Sequence, residues 1–524
     1  MCTISLGSRI FCDGEYGTVL YVGKVGSFHG IWLGIEWDNP ERGKHDGSYN
    51  GVNYFKTRSL KGGSFIRPEK AKIGRACPDG ILERYCSSNE NVLDENNLSI
   101  PQKYGKKRMI EFVGLEKITT KQSQLHQIET VDLSSMLING PGQPGALSNL
   151  IPNVTNMILS QNLFTSWNMI ADITIQLPHL TVLNISENKL LIPENPVELK
   201  TAFRTIKTLI LNKMSYNWSQ IMKCAVMWPD VEYLDLWSNR ISDITEIPTD
   251  IFIYLQSLNI SDNPIGNWEE INKFGKLPRL EKLIADNSKL SGVTLPAISS
   301  TTETLFSNLK CLYLTNNKLS EWKDIAELHK LKNLEELKVK GNPVMSLETL
   351  ETSHQFVIAR LPSLKYLNGL TITKEDRRGA ELDYLKKYCE QWLKSGGHRD
   401  PKLNKPSCEF LNEHPTYLKL LEEYGAPEDS ELKKQSELLK NNLISVELCC
   451  PINPDKKPVA KKLPATMTVG KVKTLACRLF NQNAQDSILW VVSSKANEPE
   501  IEMDNDLREL SFYSVRNGDK LYVR

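Results

Sequence analysis

Apolar residues recur with one spacing through the middle of the chain. The pattern Leu-x-x-Leu-x-Leu-x-x-Asn-x-Leu repeats from about residue 128 to residue 344, and its Asn position returns every 24 to 29 residues. Each unit predicts a short strand with inward-pointing leucines, and no unit can bury its apolar face alone. The pattern therefore predicts an α/β solenoid over residues 126–370. Its nine Asn positions hold Met136, Asn162, Asn188, Met214, Asn239, Asn263, Ser288, Asn317 and Asn342.

Two further features recur at matching positions relative to the leucines. We expect each Asn side chain to hydrogen-bond the backbone of the turn that follows the strand of its unit. A Trp-x-x-Ile motif comes four or five residues later, and the i, i+3 spacing places both side chains on one face of a short convex helix. We interpret these tryptophans as core residues. After the last repeat, a charged helix over residues 374–393 is expected to cap the open end, within residues 371–395.

The outward positions between the leucines form the concave face of such a solenoid. Apolar and aromatic residues at these positions cost solubility unless something covers them. Two interpretations stay open: a neighbouring loop or domain shields them, or a protein partner binds there. The candidate partner-binding residues are Ile210, Tyr233, Trp237, Ile284 and Tyr313.

Residues 1–75 differ in kind, because glycines and aromatic residues punctuate short strand signals. This composition predicts a small SH3-like β-barrel with tight turns and close backbone approaches. Aromatic residues beside cationic ones would line an apolar groove suited to an acidic peptide that ends in an aromatic residue, or to a free carboxylate. The candidate groove residues are Trp32, Lys44, His45, Tyr54, Phe55, Phe65 and Arg67.

The last 80 or so residues, 443–524, alternate strand and helix signals in the order of a β-grasp fold. We predict a hairpin from Leu443–Cys449 and residues 459–463, a helix over residues 469–480 that Thr468 caps, and a buried strand at 488–492. A strand at 521–523 follows the Asn-Gly-Asp turn. The remaining residues, 76–125 and 396–442, are interpreted as a linker and a connector, the latter with a helix near 430–442.

Composition and charge narrow the class of function. Lys and Arg number 64 against 63 Asp and Glu, so nothing in the net charge of +1 predicts nucleic acid or an anionic membrane as a partner. The 11 cysteines are scattered without Cys-x-x-Cys pairs, which favours a reducing compartment and no metal. No signal peptide or membrane span is predicted, and no phosphate-loop, zinc-protease or nucleophile-elbow motif occurs. We expect a cytoplasmic protein that is not an enzyme and needs no cofactor.

Three resemblances make these expectations specific. Residues 43–48, Gly-Lys-His-Asp-Gly-Ser, with Trp32 and the Phe-x-Arg-Pro ending, resemble a CAP-Gly domain, although His45 stands where that family usually has Asn. The middle resembles leucine-rich repeats and the end resembles a ubiquitin-like domain that lacks the terminal Gly-Gly. This order of modules resembles the tubulin-folding cofactor E family. An SH3-like barrel of other specificity is the alternative for the first module.

The family resemblance implies a set of partners. It implies capture of α-tubulin by its C-terminal tail and its body, and assembly of the α/β heterodimer with cofactor D, which holds β-tubulin, and with cofactor C. It also implies that existing heterodimers can be dissociated, and that the protein associates with the cytoskeleton. The C-terminal module would dock, with the proteasome or ubiquitin receptors as candidate partners. A microtubule-end adaptor and a ubiquitin-pathway adaptor are the alternative functions.

Overall fold

A computed structural model describes residues 4–86, 99–101, 107–109, 125–296, 305–427, 443–451, 456–483, 487–492, 500–513 and 515–524. These residues form two compact units, Met1–Ala426 and Pro427–Arg524. The first unit contains the N-terminal barrel and the solenoid. The second contains the β-grasp fold. The helix expected near residues 430–442 lies outside the described residues.

The N-terminal barrel is built on a four-stranded antiparallel sheet. Its core consists of apolar side chains that alternate inward along these strands, among them Val19, Ile35 and Trp37. A two-stranded hairpin, Ser48–Tyr49 with Val52–Asn53, follows the glycine-rich loop. The four strands, in sheet order, are Arg9–Cys12, Glu15–Gly23, Trp32–Trp37 and Gly63–Ile66.

The solenoid has one continuous sheet of eleven short strands, parallel except for the last. Each repeat contributes one strand of about three residues with a buried central Leu or its equivalent, which is the burial pattern that the leucine spacing predicts. The strands are Thr130–Asp132, Asn156–Ile158, Val182–Asn184, Thr208–Ile210, Tyr233–Asp235, Ser257–Asn259, Lys282–Ile284, Cys311–Tyr313, Glu336–Lys338, Tyr366–Leu367 and Leu370–Thr371.

Helical turns form the convex side. The Trp-x-x-Ile motifs begin four of these helices, and Trp167, Trp218 and Trp268 are buried with all four isoleucines, which confirms their role in the core. The α-helices are Ala146–Leu150, Trp167–Thr174, Trp218–Ala225, Trp268–Asn272, Trp322–Glu327 and Leu350–Arg360. The 3-10 turns of the first unit are Pro40–Arg42, Pro68–Lys70, Leu125–Gln127, Pro196–Phe203, Lys273–Lys276, Leu328–Lys330 and Pro343–Ser346.

The Asn side chains bond the turn of their own repeat, as the sequence predicts, and they also join it to the preceding repeat. Asn188 donates from Nδ2 to Leu159 O of the preceding repeat and to Ile185 O of its own, both at 2.9 Å. Its Oδ1 accepts from Asn162 N at 3.1 Å. Nδ2 also donates to Ser186 O at 3.2 Å, so the partners lie in the preceding repeat and in the turn that follows the strand Val182–Asn184. Asn239, Asn263 and Asn342 repeat this arrangement.

Both ends of the solenoid extend into ranges that the sequence marked as linker and connector. A helix, Cys77–Cys86, places Cys77 and Ile81 in the solenoid core, so residues 76–125 begin with a structural element of the solenoid. The cap helix is Lys374–Lys394, close to the predicted 374–393. Two more helices lie within residues 396–442, Cys408–Glu413 and Tyr417–Tyr424. The second contacts the cap helix, because the Tyr417 hydroxyl donates to Leu385 O. Residues 76–125 also hold the paired strands Ser99–Pro101 and Lys107–Met109.

The C-terminal unit is a five-stranded sheet packed on the helix Val469–Phe480. Thr468 occupies the N-cap position of that helix. Ile488 is 46% exposed, so the predicted buried strand begins one residue later, with Leu489 and Val491 inward. The strands, in sheet order, are Val459–Pro464, Leu443–Cys449, Lys520–Val523, Leu489–Val492 and Ile501–Glu502. The predicted fold class, an SH3-like barrel, an α/β solenoid and a β-grasp fold, is confirmed.

Candidate functional site

Phe65 is the centre of an aromatic group on the barrel. Its ring centroid lies 4.9 Å from that of His45, 5.5 Å from Tyr54 and 5.4 Å from Phe55. Phe65 pairs across the sheet with Gly34, where a Cβ would collide with the ring of Phe55. The missing side chain at Gly34 is therefore what lets the two phenylalanines meet edge to face. The structure brings together four of the seven predicted groove residues.

His45 holds the glycine-rich loop in shape. Gly47 N donates to His45 Nδ1 at 3.1 Å, so the ring acts as an acceptor at this nitrogen and carries its proton on Nε2. Burial lowers the pKa of His45, which favours this neutral form. An Asn side chain would offer its Oδ1 to the same N–H, which explains how His replaces the usual Asn. At Nδ1 the ring is therefore occupied within the loop, and only Nε2 can donate to a ligand.

The backbone donors of Lys44 and His45 in the loop are already used. Lys44 N and His45 N both donate to Gly63 O, at 2.6 and 3.1 Å, and Gly63 N donates back to His45 O at 2.8 Å. These bonds tie the loop to the strand Gly63–Ile66 and leave no amide of Lys44 or His45 for a ligand carboxylate. The side chain of Lys44 is exposed, so its ammonium is the cationic group that this loop presents.

A second aromatic group lies beside the first and contains residues that sequence reasoning missed. Phe28 contacts Trp32 and Tyr49, with ring centroids 5.8 and 5.7 Å apart. The Arg67 guanidinium stacks 3.9 Å above the Trp32 ring and donates to His29 O at 2.7 Å. Arg67 therefore braces the loop before the strand Trp32–Trp37 while it supplies positive charge. Phe28 is 46% exposed, and its position between two turn glycines was the available signal.

Tyr21, also missed, links the two groups. Its ring lies 5.3 Å from Tyr54 and 6.3 Å from Phe65, and the Tyr54 hydroxyl accepts from Gly26 N at 2.9 Å, next to the second group. The barrel thus presents an aromatic surface, which we call the aromatic groove. Its members are Tyr21, Phe28, Trp32, His45, Tyr49, Tyr54 and Phe65, with Lys44 and Arg67 as the cationic residues. Phe55, also predicted to line the groove, is only 7% exposed and supports Phe65 from the barrel interior.

The predicted partner-binding residues of the concave face do not form one continuous apolar surface. Ile284 and Tyr313 are directly paired in adjacent strands. Ile210 is three strands from Ile284, about 14 Å away at the usual strand spacing, with Asp235 and Asn259 between them. Polar residues therefore separate two apolar patches. Tyr233 is 46% exposed, so the first unit does not fully shield this face.

Charged groups surround the aromatic residues of the concave face. Lys282 and Lys338 lie 4.7 and 3.9 Å from the Tyr313 ring centroid, and the Tyr313 hydroxyl donates to Glu336 at 2.9 Å. Trp237 donates from Nε1 to Asp262, and Lys213 lies 5.1 Å from its ring. Their polar atoms are thus satisfied within the solenoid. The exposed ring surfaces remain for apolar contact, in a setting of mixed charge.

The described residues offer little for other chemistry. Among them, no three His, Cys, Asp or Glu side chains come together as a metal site would require. In the same part of the chain, no helix is long and apolar enough to cross a bilayer. Of the cysteines that the structure describes, all are free thiols, and burial raises the pKa of Cys77 and Cys224.

Comparison with known proteins agrees with this architecture. Residues 6–71 match the CAP-Gly domain family, and residues 219–395 match a leucine-rich repeat family. Tubulin-specific chaperone E of Xenopus laevis is 44% identical over 518 residues, which is 98% of each chain. The Homo sapiens protein of that name is 40% identical over 99% of this chain and 98% of its own. The solution structure of the C-terminal ubiquitin-like domain of mouse tubulin-specific chaperone e is 43% identical, with a TM-score of 0.15, over 16% of this chain and 86% of that one. Since the similarity to the full-length relatives covers nearly the whole sequence, the chain belongs to the tubulin-specific chaperone E family.

Proposed function

We propose that this protein captures α-tubulin at two places, the flexible C-terminal tail in the aromatic groove and the folded body on the concave face. The observation that carries the proposal is the aromatic cluster around Phe65 beside the exposed Lys44, on a chain whose relatives are named for tubulin. An acidic tail that ends in an aromatic residue complements such a surface in shape and charge.

The groove would recognise the end of the tail chiefly by contact with the aromatic ring of the last tail residue. Phe65, Tyr54 and His45 provide faces and edges for an added aromatic side chain, a type of contact worth about 0.5–1.5 kcal/mol beyond its buried area. Lys44 would attract the acidic residues and the terminal carboxylate. Because Lys44 is exposed, this Coulomb contribution is modest and salt-sensitive. The amides of Lys44 and His45 are engaged with Gly63, so ring contact would supply most of the selectivity.

The concave face would bind the body of α-tubulin. Its two apolar patches, Ile210 and the pair Ile284 with Tyr313, provide separate anchor points within a field of mixed charge. Tyr233 and Trp237 add aromatic ring surface from the repeat next to Ile210. Once the tail is held, the second contact becomes intramolecular. Joining two weak contacts in this way raises avidity by about 10²–10⁴.

Capture of this kind suits a folding cofactor. In the proposed cycle the protein holds α-tubulin, meets β-tubulin carried by cofactor D, and acts with cofactor C to release the native heterodimer, or runs the exchange in reverse to dissociate it. The protein would work in the cytoplasm by binding alone, without catalysis or a cofactor of its own. The β-grasp unit would dock a further partner, such as the proteasome or a ubiquitin receptor.

A peptide titration tests the groove. Tail peptides that end in Glu-Glu-Tyr, and the same peptides without the Tyr, would be titrated into the full chain and into a Phe65→Ala variant. We expect the wild-type chain to lose at least tenfold in affinity, about 1.4 kcal/mol, when the Tyr is removed. The Phe65→Ala variant should bind both peptides with equal, weak affinity. Equal affinities in the wild-type chain would show that the groove reads charge alone and contradict the proposal.

Co-purification separates the folding role from the alternatives. The proposal expects soluble α-tubulin with cofactor D, whereas a microtubule-end adaptor would sediment with polymer and a ubiquitin-pathway adaptor would bring down proteasome subunits. Deleting residues 443–524 should leave α-tubulin binding intact and impair assembly or turnover of the complex, and no covalent conjugates of this segment should form. Loss of all α-tubulin from the shortened chain would contradict the assignment of capture to the first unit.

A further inference from the structure

The barrel and the solenoid meet at a partly buried ionic contact. Arg9, with a side chain 3% exposed, pairs with Asp38 within the barrel. Lys189, from the turn of a solenoid repeat, donates from Nζ to the same carboxylate at 2.7 Å. Burial raises the pKa of Asp38, but the hydrogen bonds and charges of Arg9 and Lys189 outweigh it, and the net shift is downward. One carboxylate thus joins two parts of the first unit.

Further contacts fix the same junction. The Tyr16 hydroxyl donates to Gln161 O, a solenoid turn, at 3.1 Å. The strand Arg75–Ala76, which leaves the barrel, pairs in parallel with Ile138–Gly140 of the solenoid. Asn139 donates from Nδ2 to Ile73 O at 2.6 Å. The chain then enters the helix Cys77–Cys86, which lies in the solenoid core, so no free linker separates the two parts.

The junction lies away from the second aromatic group of the groove. The strand Trp32–Trp37 begins at that group and ends one residue before Asp38. Six residue steps in an extended chain span about 20 Å. The glycine-rich loop lies nearer the junction, because Gly63, which accepts from Lys44 N and His45 N, pairs with Glu36. The groove and the junction nevertheless use different side chains.

We propose that this junction holds the barrel in one orientation on the solenoid, and that Lys189 and Tyr16 are positioning residues for the capture of α-tubulin. The inference rests on the proposed function. A fixed barrel keeps the groove at a constant distance and angle from the concave face, so a bound tail and a bound body share one geometry. Pre-organisation of this kind removes an ordering cost that a tethered barrel would meet at each binding event.

The test breaks the junction without touching either binding surface. The double variant Lys189→Ala with Tyr16→Phe removes two of the three side-chain contacts described above and leaves the Asn139 bond in place. Lys189→Arg preserves the charge as a conservative variant. Lys365→Ala is the matched control, because Lys365 forms an ion pair of the same kind with Glu335, at 2.7 Å, near the far end of the sheet. Three quantities are measured for each full-length chain: affinity for the Glu-Glu-Tyr tail peptide, affinity for α-tubulin, and amide hydrogen exchange at residues 75–76 and 138–140.

We expect the double variant to bind the peptide within about twofold of wild type and to bind α-tubulin roughly tenfold more weakly, with faster exchange at the paired strands. Lys189→Arg and Lys365→Ala should behave as wild type. Equal weakening for peptide and α-tubulin would place the effect in the groove and overturn the inference, as would an α-tubulin affinity equal to that of the control. If wild type itself fails to bind α-tubulin, the proposed function fails. Unchanged exchange in the double variant would independently overturn the fixed junction.

Discussion

Asn188 provides a direct test of how the repeats are held together. Its side chain is fully buried and makes four hydrogen bonds, to Leu159 O, Ile185 O and Ser186 O and from Asn162 N. Two of these four partners belong to the preceding repeat. Replacing Asn188 with Ala removes all four bonds and puts no polar group in their place. Ser186 O keeps a second donor, the N–H of Gln161 at 2.9 Å.

The structure sets the size of the expected effect. Leu159 O keeps a second donor, Asn162 Nδ2 at 3.0 Å, so it stays satisfied. Ile185 O and Asn162 N lose the partners described for them, and a buried backbone group left unpaired costs about 1–3 kcal/mol. We therefore expect Asn188→Ala to lower the free energy of unfolding of the solenoid by about 4 kcal/mol, a large share of the 5–15 kcal/mol typical of a domain.

Asn184→Ala is the matched control for this prediction. Asn184 lies four residues earlier on the concave face, half-buried, and its Oδ1 accepts only from Ser186 N, at 3.0 Å. Losing this local bond should cost about 1 kcal/mol. Urea unfolding followed by tryptophan fluorescence would report the solenoid transition, because Trp167, Trp218 and Trp228 are buried in that core. Equal midpoints for the two variants would refute the bridging role of the buried Asn.

Three further predictions concern the binding surfaces. Lys44→Ala should weaken Glu-Glu-Tyr peptide binding by roughly tenfold at low salt and less at high salt, measured by titration, since its ammonium is exposed. Burial lowers the pKa of His45 from its usual 6.5, so the barrel loses stability as the pH falls below that value. The variant His45→Asn should therefore show a melting temperature that changes less between about pH 7 and 5.5. An unchanged slope of melting temperature against pH would exclude His45 as the cause. Trp237→Ala with Tyr313→Ala should weaken α-tubulin capture by about 2–4 kcal/mol with little change in the melting curve, and unchanged binding would remove the concave face from the proposal.

The amino-acid sequence alone determined the elements whose signal is periodic and local. The leucine spacing located the short strands, since each unit needs the same burial pattern to stack on its neighbours. The Trp-x-x-Ile motifs marked the starts of convex helices for the same reason. In the barrel, the glycine-rich loop and its flanking aromatic residues were enough to predict the four residues that meet around Phe65, because turn chemistry and aromatic content are readable within a few residues. The β-grasp order was likewise readable from alternation and turn signals.

Only the tertiary structure decided which distant residues meet. The pairing of Asp38 with Lys189 joins positions 151 residues apart, and neither residue carries a local signal for it. The role of His45 as an acceptor depends on the loop conformation, which directs the Gly47 N–H toward Nδ1. The separation of the apolar patches on the concave face depends on strand register across several repeats. Local sequence encodes periodicity and turn preference. Hydrogen-bond partners, ion pairs and ring contacts instead arise from the packed fold, where burial makes an unpaired polar group costly and so selects the one arrangement that satisfies it.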